Sequence, residues 1–277
     1  MQIIDGRKIR DELLISIKKE VEILPFVPVF CDVLVGEDKV SEQYVRMKDK
    51  TATSVGIKFH NAHFPASITT EELVEEIKKL NIMQDMCGLI VQLPLPENID
   101  TKKVLDAIDP TLDVDCLGSL ASEKFYQNNS HLAPPTANAC VTILKSINID
   151  LHDKKIVVLG NGELVGRPVS ALLKSLGFEV NTITRNTENK EIILKNADIV
   201  ISGMGNGKYV NSEMIKENAI IVDAGTSESG SGIVGDVDVE SIKDMQGFVS
   251  PVPGGVGPVT IAMLLQNVLT VAKNKNN

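Results

Sequence analysis

The segment KKIVVLGNGELVGRPVSALLKSLG (154–177) constrains the fold more than any other stretch of the chain. The apolar, β-branched run KKIVVLG predicts a buried strand, and VGRPVSALLKSLG spaces its apolar residues for a helix. A strand that turns through glycines into a helix belongs to a parallel α/β sheet. Gly160 ends the strand, Gly162 lets a phosphate approach the backbone, and Gly166 permits close packing of helix on strand. Such a turn presents a helix N-terminus, with its N–H groups and partial positive charge, to a pyrophosphate. The spacing is GxGxxxG, one residue longer than the usual dinucleotide fingerprint GxGxxG. Two readings therefore stay open for the turn, a dinucleotide site and a plain structural connection.

The next strand, FEVNTITR, bears on the cofactor. Folds that take NAD usually end this strand in an acid that holds the ribose hydroxyls. Here it ends in Thr184-Arg185-Asn186-Thr187, with no acid. A guanidinium suits the extra 2′-phosphate of NADP, which it can grip with two parallel hydrogen bonds. Arg185 also fits as a solvated surface residue; the pattern favours NADP and leaves NAD possible.

Strands and helices alternate on both sides of this segment. A helix is expected over 7–23, a strand in VPVFCDVLVG, a helix in EDKVSEQYVRMKDKTATSVGI and a strand in KFHNAHF. TTEELVEEIKKLN then predicts a helix and CGLIVQLPLP a strand containing Gln92. Residues 109–135 look irregular, and TANACVTILKSI leads by a helix into the second half. There ADIVISGMG, AIIVDAG and GFVSPVPG extend the sheet, and PVTIAMLLQNVLTVAKNK closes the chain as a long helix. The fold class is α/β, in two lobes. The first spans 1–138, with the C-terminal helix 258–277 returning to it; the second, 139–257, is a Rossmann-type parallel-sheet lobe.

With 277 residues the chain can bury two cores. A net charge of −9 argues against non-specific nucleic-acid binding, which needs a cationic surface. No apolar run reaches the ~18 residues of a membrane span, and no signal pattern opens the chain. Cys31, Cys87, Cys116 and Cys140 are scattered, without a CxxC pair. They read as reduced thiols of a cytoplasmic protein, and no cluster has metal-ligand spacing.

Four residues of the first half attract attention. Tyr44 and Lys48 are four apart, on one face of a helix. A desolvated lysine can exchange its proton near neutral pH and serve as acid or base. Gln92 lies in an apolar run, where an amide needs a partner, and Asp115 lies in the irregular stretch, free to hydrogen-bond a polar ring. Each residue also has an ordinary reading. Lys48 fits a solvated charge, Tyr44 a half-buried core residue, Gln92 a satisfied amide and Asp115 a turn former.

Taken together, VGEDKVSEQYVRMKDK (35–50), GLIVQLPLP (88–96), DVDC (113–116), GNGELVGRP (160–168), GDVD (235–238) and SPVPGGVGPVTIAMLLQN (250–267) resemble the methylenetetrahydrofolate dehydrogenase/methenyltetrahydrofolate cyclohydrolase family. The likeness runs in order along nearly the whole chain. It implies a homodimer of two-lobed subunits with a folate between the lobes, no metal, and no nucleic-acid or membrane partner. The implied chemistry is hydride transfer from 5,10-methylenetetrahydrofolate to the nicotinamide of NADP, followed by hydrolysis of the methenyl cation to 10-formyltetrahydrofolate. The resemblance also leaves two lesser outcomes, hydrolysis alone with an impaired or NAD-dependent oxidation, and binding without turnover.

By the same resemblance, Tyr44 would stack on the folate, Lys48 would be the central catalytic residue, and Gln92 would tune it. Leu93, Asp115, Pro251, Pro253, Gly254 and Gly255 would complete the substrate site. Gly160, Asn161, Gly162, Val165, Gly166, Arg185, Gly203, Gly205 and Thr226 would hold the cofactor. The chain departs from the family pattern at several points. Asn161 and Gly162 stand where Arg and Ser are usual, Cys116 where DVDG ends in glycine, and Pro134-Pro135-Thr136-Ala137 in place of P-C-T-P. Asp223-Ala224-Gly225-Thr226-Ser227 stands in place of D-V-G-I-N.

Overall fold

The computed structural model describes residues 1–230 and 232–275. The chain opens with β1 (Gln2–Ile3) and α1 (Gly6–Val21), followed by β2 (Val29–Val35), α2 (Lys39–Ser54) and β3 (Lys58–Phe64). Then come α3 (Thr70–Asn81), β4 (Met86–Val91), α4 (Thr101–Asp106) and α5 (Ser119–Tyr126). The second half runs α6 (Pro135–Ser146), β5 (Ile156–Leu159), α7 (Gly166–Ser175), β6 (Val180–Ile183), α8 (Lys190–Lys195), β7 (Ile199–Ser202) and β8 (Ala219–Asp223). A short hairpin, β9 (Ser227–Ser229) with β10 (Gly232–Val234), precedes α9 (Val239–Ile242), β11 (Gly247–Ser250) and α10 (Val256–Lys275).

These elements form two compact units, Glu12–Pro135 with the chain from Leu264 onward, and Met1–Asp11 with Thr136–Met263. In the first, β2 is the centre of a parallel sheet ordered β3-β2-β4. All seven residues of β2 are buried, as expected of a central parallel strand covered on both faces. The helices start where the sequence supplies caps. The Asp38 carboxylate accepts from Ser41 N–H to open α2, and Thr69 and Glu72 form a reciprocal capping box on α3. The core gathers Phe30, Leu73, Ile77 and Leu89 with Leu265, Val268 and Leu269 from α10.

The second unit has a six-stranded parallel sheet ordered β1-β11-β8-β7-β5-β6. Val157, Leu159, Val200, Ile221 and Val249 lie in its core. From β5 the chain steps outward to β6 on one side and to β7 and β8 on the other. The order reverses at β5 and β7, and in open α/β sheets ligands bind beyond the strand ends at such a switch point.

Several expectations are corrected. Residues 1–11 belong with the six-stranded unit rather than the first domain, because β1 pairs with β11 and Gly6 N–H donates to Gly254 O. Helix α10 stays with that unit through Met263, so only Leu264 onward joins the other; residues 276–277 of the expected helix lie outside the described residues. Residues 109–135 contain the helix α5, and β4 ends at Val91, leaving Gln92 just beyond the strand. Helix α10 is also long and apolar enough to cross a membrane, at mean hydropathy 1.3. Its hydropathy survives Thr260, Gln266 and Asn267 because alanine, leucine and valine surround them. Of that apolar window 61 % is buried inside the protein.

Candidate active site

Helix α2 carries Tyr44, half-buried, and Lys48, 7 % exposed, one turn apart. Lys48 Nζ donates to Gln92 Oε1 at 2.8 Å. Gln92 is held in turn, since its backbone N–H donates to Val33 O at 2.9 Å and its Nε2 to Leu93 O at 2.8 Å. Lys48, Gln92 and Leu93 thus meet at the carboxyl ends of β2 and β4. The amide that an apolar run could not explain has both ends engaged.

A residue that sequence reasoning passed over completes the group. Asp32, in the middle of β2, is fully buried, and its Oδ2 lies 2.6 Å from Lys48 Nζ as an ion pair. Among the described residues no donor meets its other oxygen, Oδ1. Burial pushes the Asp32 carboxyl up, while the charge and hydrogen bond of Lys48 oppose that rise. The available signal was a single carboxylate inside VFCDVLV, where both strand faces are apolar.

Asp115 follows the bridge that Asp113 makes beside Leu89. Its loop is fixed from two sides. Asn267 Nδ2 donates to Val114 O and Ala133 O, both at 2.8 Å, and Asp113 accepts from Gly118 N–H at 2.7 Å. Cys116 adopts φ 58, a left-handed conformation that favours glycine, at the position where the resemblance expects one. Burial raises the Asp115 carboxyl to about 6, helped by the charge of Asp113 and opposed by Lys48. A carboxyl raised on folding favours the fold when protonated, and that contribution fades as pH climbs through about 6. The stability of Asp115→Asn relative to wild type should therefore grow between pH 4 and pH 7, as read by urea unfolding; a constant difference would count against the raised value.

In the six-stranded unit, the glycine turn packs as a tight cradle. A Cβ on Gly166 would lie 2.2 Å from Gly160 O, one on Gly160 2.7 Å from Gly203 O, and one on Gly203 2.3 Å from Val165 Cγ1. Gly160, Val165, Gly166 and Gly203 are thereby brought together at the switch point. Gly162 has open space where its side chain would stand, and Val165, the N-cap of α7, makes no side-chain cap. A backbone surface kept bare beside an uncapped helix start fits a pyrophosphate. Gly205 lies near Thr226 O, and the backbone N of Asn161, an exposed residue, would lie 3.0 Å from a Cβ on Gly166, while Arg185 is exposed and stands apart from this packing.

Two buried aspartates shape the same strand ends. Asp236 Oδ2 accepts from Ser202 Oγ and Met204 N–H, and its Oδ1 from Asn206 N–H, all at 2.7 Å. Asp223 accepts from the N–H groups of Gly225, Asp236 and Val237. Burial raises the Asp223 carboxyl to about 6 against those donors, with the charge of Asp236 adding to the rise. Together they order the segments 202–206, 223–226 and 235–237. After β11, Gly255 N–H donates to Pro251 O at 2.8 Å, and Gly6 packs against Gly254 and Gly255 so closely that a Cβ there would overlap Gly255 O. Pro253, Gly254 and Gly255 are thus set in a turn braced by the start of α1.

Family profiles decide what this arrangement belongs to. The tetrahydrofolate dehydrogenase/cyclohydrolase catalytic domain matches residues 4–115, and the NAD(P)-binding domain of the same family matches residues 134–276. The chain belongs to the tetrahydrofolate dehydrogenase/cyclohydrolase family. Apart from its first 11 residues, its six-stranded unit lies within the match to that family's NAD(P)-binding domain. Among its relatives, the bifunctional protein FolD of Methanoculleus marisnigri is 39 % identical over 272 residues, covering 98 % of this chain and 96 % of the relative. The bifunctional FolD methylenetetrahydrofolate dehydrogenase/cyclohydrolase structure from Campylobacter jejuni superposes with a TM-score of 0.94 at 34 % identity, covering 99 % of both chains. A Trypanosoma brucei FolD structure, complexed with NADP cofactor and an inhibitor, gives 0.92 at 33 %, covering 99 % of this chain and 98 % of that one. Among the described residues, no group of three or more His, Cys, Asp or Glu side chains is arranged to hold a metal ion.

Proposed function

We propose that this chain oxidises 5,10-methylenetetrahydrofolate with NADP and hydrolyses the resulting methenyl cation to 10-formyltetrahydrofolate. The observation that carries the reading is the buried Lys48, held between Gln92 Oε1 and Asp32 Oδ2. A buried lysine with both a hydrogen-bond acceptor and a carboxylate on its nitrogen is equipped to move protons, which hydrolysis requires. Tyr44, one turn away, offers a flat ring for the folate, and Asp115 a carboxyl for its polar ring edge. Leu93 and the Pro251–Gly255 turn are the further substrate contacts in this reading. Oxidation needs chiefly that donor and acceptor be held in line.

The glycine cradle from Gly160 to Gly166 would hold the pyrophosphate, with Asn161, Gly162 and Val165 presenting backbone, and Gly203, Gly205 and Thr226 bordering the nicotinamide side. When bound, the nicotinamide supplies the hydride acceptor. Arg185 stands two residues beyond β6, exposed and free to meet a 2′-phosphate, which favours NADP over NAD. The protein would act in the cytoplasm as a homodimer, without nucleic-acid or membrane partners, in one-carbon metabolism.

Steady-state oxidation with each nicotinamide tests the cofactor assignment. Wild type should prefer NADP, and Arg185→Ala should raise the KM for NADP about tenfold or more while leaving that for NAD within about twofold, the loss expected of one charge-assisted pair. Equal use of both cofactors by wild type, or no change in the variant, would remove Arg185 from the site.

A further inference from the structure

We propose that Asp32 and Lys48 act as one proton-transfer pair in hydrolysis, Lys48 meeting the substrate and Asp32 storing the proton behind it. The inference rests on the hydrolytic reading above. Lys48 retains a little exposure, whereas Asp32 has none, so Asp32 can act on substrate only through the lysine. Asp32 is therefore a positioning and proton-holding residue.

Geometry makes the pair distinctive. An aspartate in a strand buried along its whole length is costly unless it is compensated, and among the described residues the compensation is the Lys48 ammonium at 2.6 Å. Oδ1 receives no donor from the described residues, so the carboxylate keeps an oxygen ready for a proton. The charged and titratable groups facing it are Lys48 from α2 and Asp115 from the loop between α4 and α5, with Cys31 beside it on β2. Burial and the charge of Asp32 push the Cys31 thiol up to about 12, so it stays a neutral neighbour. Burial also makes the Asp32 carboxylate more basic than an ordinary aspartate.

A lysine that is already an ammonium has no lone pair with which to take a proton from water. Relay through Asp32 removes that obstacle. Water attacks the cationic methenyl carbon, the new C–O bond uses a water lone pair, and the C=N π-pair moves onto the ring nitrogen. As the water loses its first proton to Lys48 Nζ, Lys48 hands one of its own to Asp32. On collapse the C–N bond breaks with its electron pair on nitrogen. That nitrogen takes a proton from Lys48, and Asp32 returns its proton to the lysine. The hydroxyl proton leaves to solvent as the formyl C=O forms. One water proton thus ends on nitrogen and one in solvent, and the pair returns to its starting state.

The test begins with hydrolysis by wild type in mixtures of H2O and D2O. Two protons moving together predict a bowed dependence of kcat on deuterium fraction, and a straight line would overturn the relay. Asp32→Asn and Asp32→Val follow, the valine matching the apolar strand. Each should lower kcat about thirtyfold or more with KM within about threefold, and each should straighten the isotope curve. Wild-type kcat in a folded variant, judged by circular dichroism, would make Asp32 a buried charge without a part in turnover. If neither variant folds, the wild-type curve alone decides. Absence of hydrolysis in wild type would instead overturn the functional reading, which separates the two failures.

Discussion

Lys48→Met is expected to lower the rate of methenyltetrahydrofolate hydrolysis by about 10²- to 10⁴-fold, the range for loss of a general acid–base group. Hydride transfer should fall far less, because it depends on positioning of donor and acceptor and no proton moves to the lysine in that step. The split between the two activities is the informative quantity, and it is read by assaying hydrolysis and oxidation on the same preparation. An equal loss of both would indicate that Lys48 serves mainly to build the pocket. Among the described residues, the same substitution removes the only charge paired with Asp32 in its buried strand. It should cost about 3–5 kcal/mol in urea unfolding, as breaking one side of a buried pair does. Asp32→Val combined with Lys48→Met should recover most of that stability without recovering hydrolysis.

Asp236→Ala should have the second large effect. Its carboxylate accepts from Ser202 Oγ, Met204 N–H and Asn206 N–H, and alanine leaves the buried Ser202 hydroxyl and two part-buried N–H groups without their acceptor. Hydrogen bonds to charged groups contribute about 1.5–3 kcal/mol each, so a loss of roughly 4 kcal/mol is expected in urea unfolding. Because Asp236 also shapes 202–206, where Gly203 seals the glycine cradle, the KM for NADP should rise as well. A stability loss under about 1 kcal/mol would show that these segments are ordered by packing alone.

Local pattern carried much of the fold. Residues 58–64 form the strand that KFHNAHF predicts, and the capping pair Thr69 and Glu72 marks the start of α3 where the sequence turns polar before an apolar period. Helix α5 escaped because SLASEKFY is short and Gly118 offers no side-chain cap to announce it. The end of β4 was misplaced by one residue type. Leu93 and Leu95 prolong the apolar run, but Pro94 and Pro96 lack the N–H that a ladder needs, and pairing stops at Val91.

The site was legible only where spacing within one element reports on a shared face. Tyr44 and Lys48 meet that condition. Asp32 does not, because its meaning depends on Lys48 arriving from a different element, and an acid in an apolar strand looks tolerable until both faces are known to be covered. Asp236 is more hidden still, since its three donors lie 30 to 34 residues earlier in the chain. The role of Cys116 was equally out of reach. Its substitution for glycine was visible in DVDC, but only the backbone shows that the position is left-handed.

The central claim is that one chain both oxidises and hydrolyses the folate. Supplying purified protein with 5,10-methylenetetrahydrofolate and NADP, and following nicotinamide reduction and 10-formyltetrahydrofolate together, tests it most directly. The account predicts that both products accumulate and that Lys48→Met reduces NADP while the methenyl intermediate builds up unhydrolysed. Hydrolysis of added methenyltetrahydrofolate without any reduction of NADP or NAD would contradict it, leaving the glycine turn from Gly160 to Gly166 a structural connection.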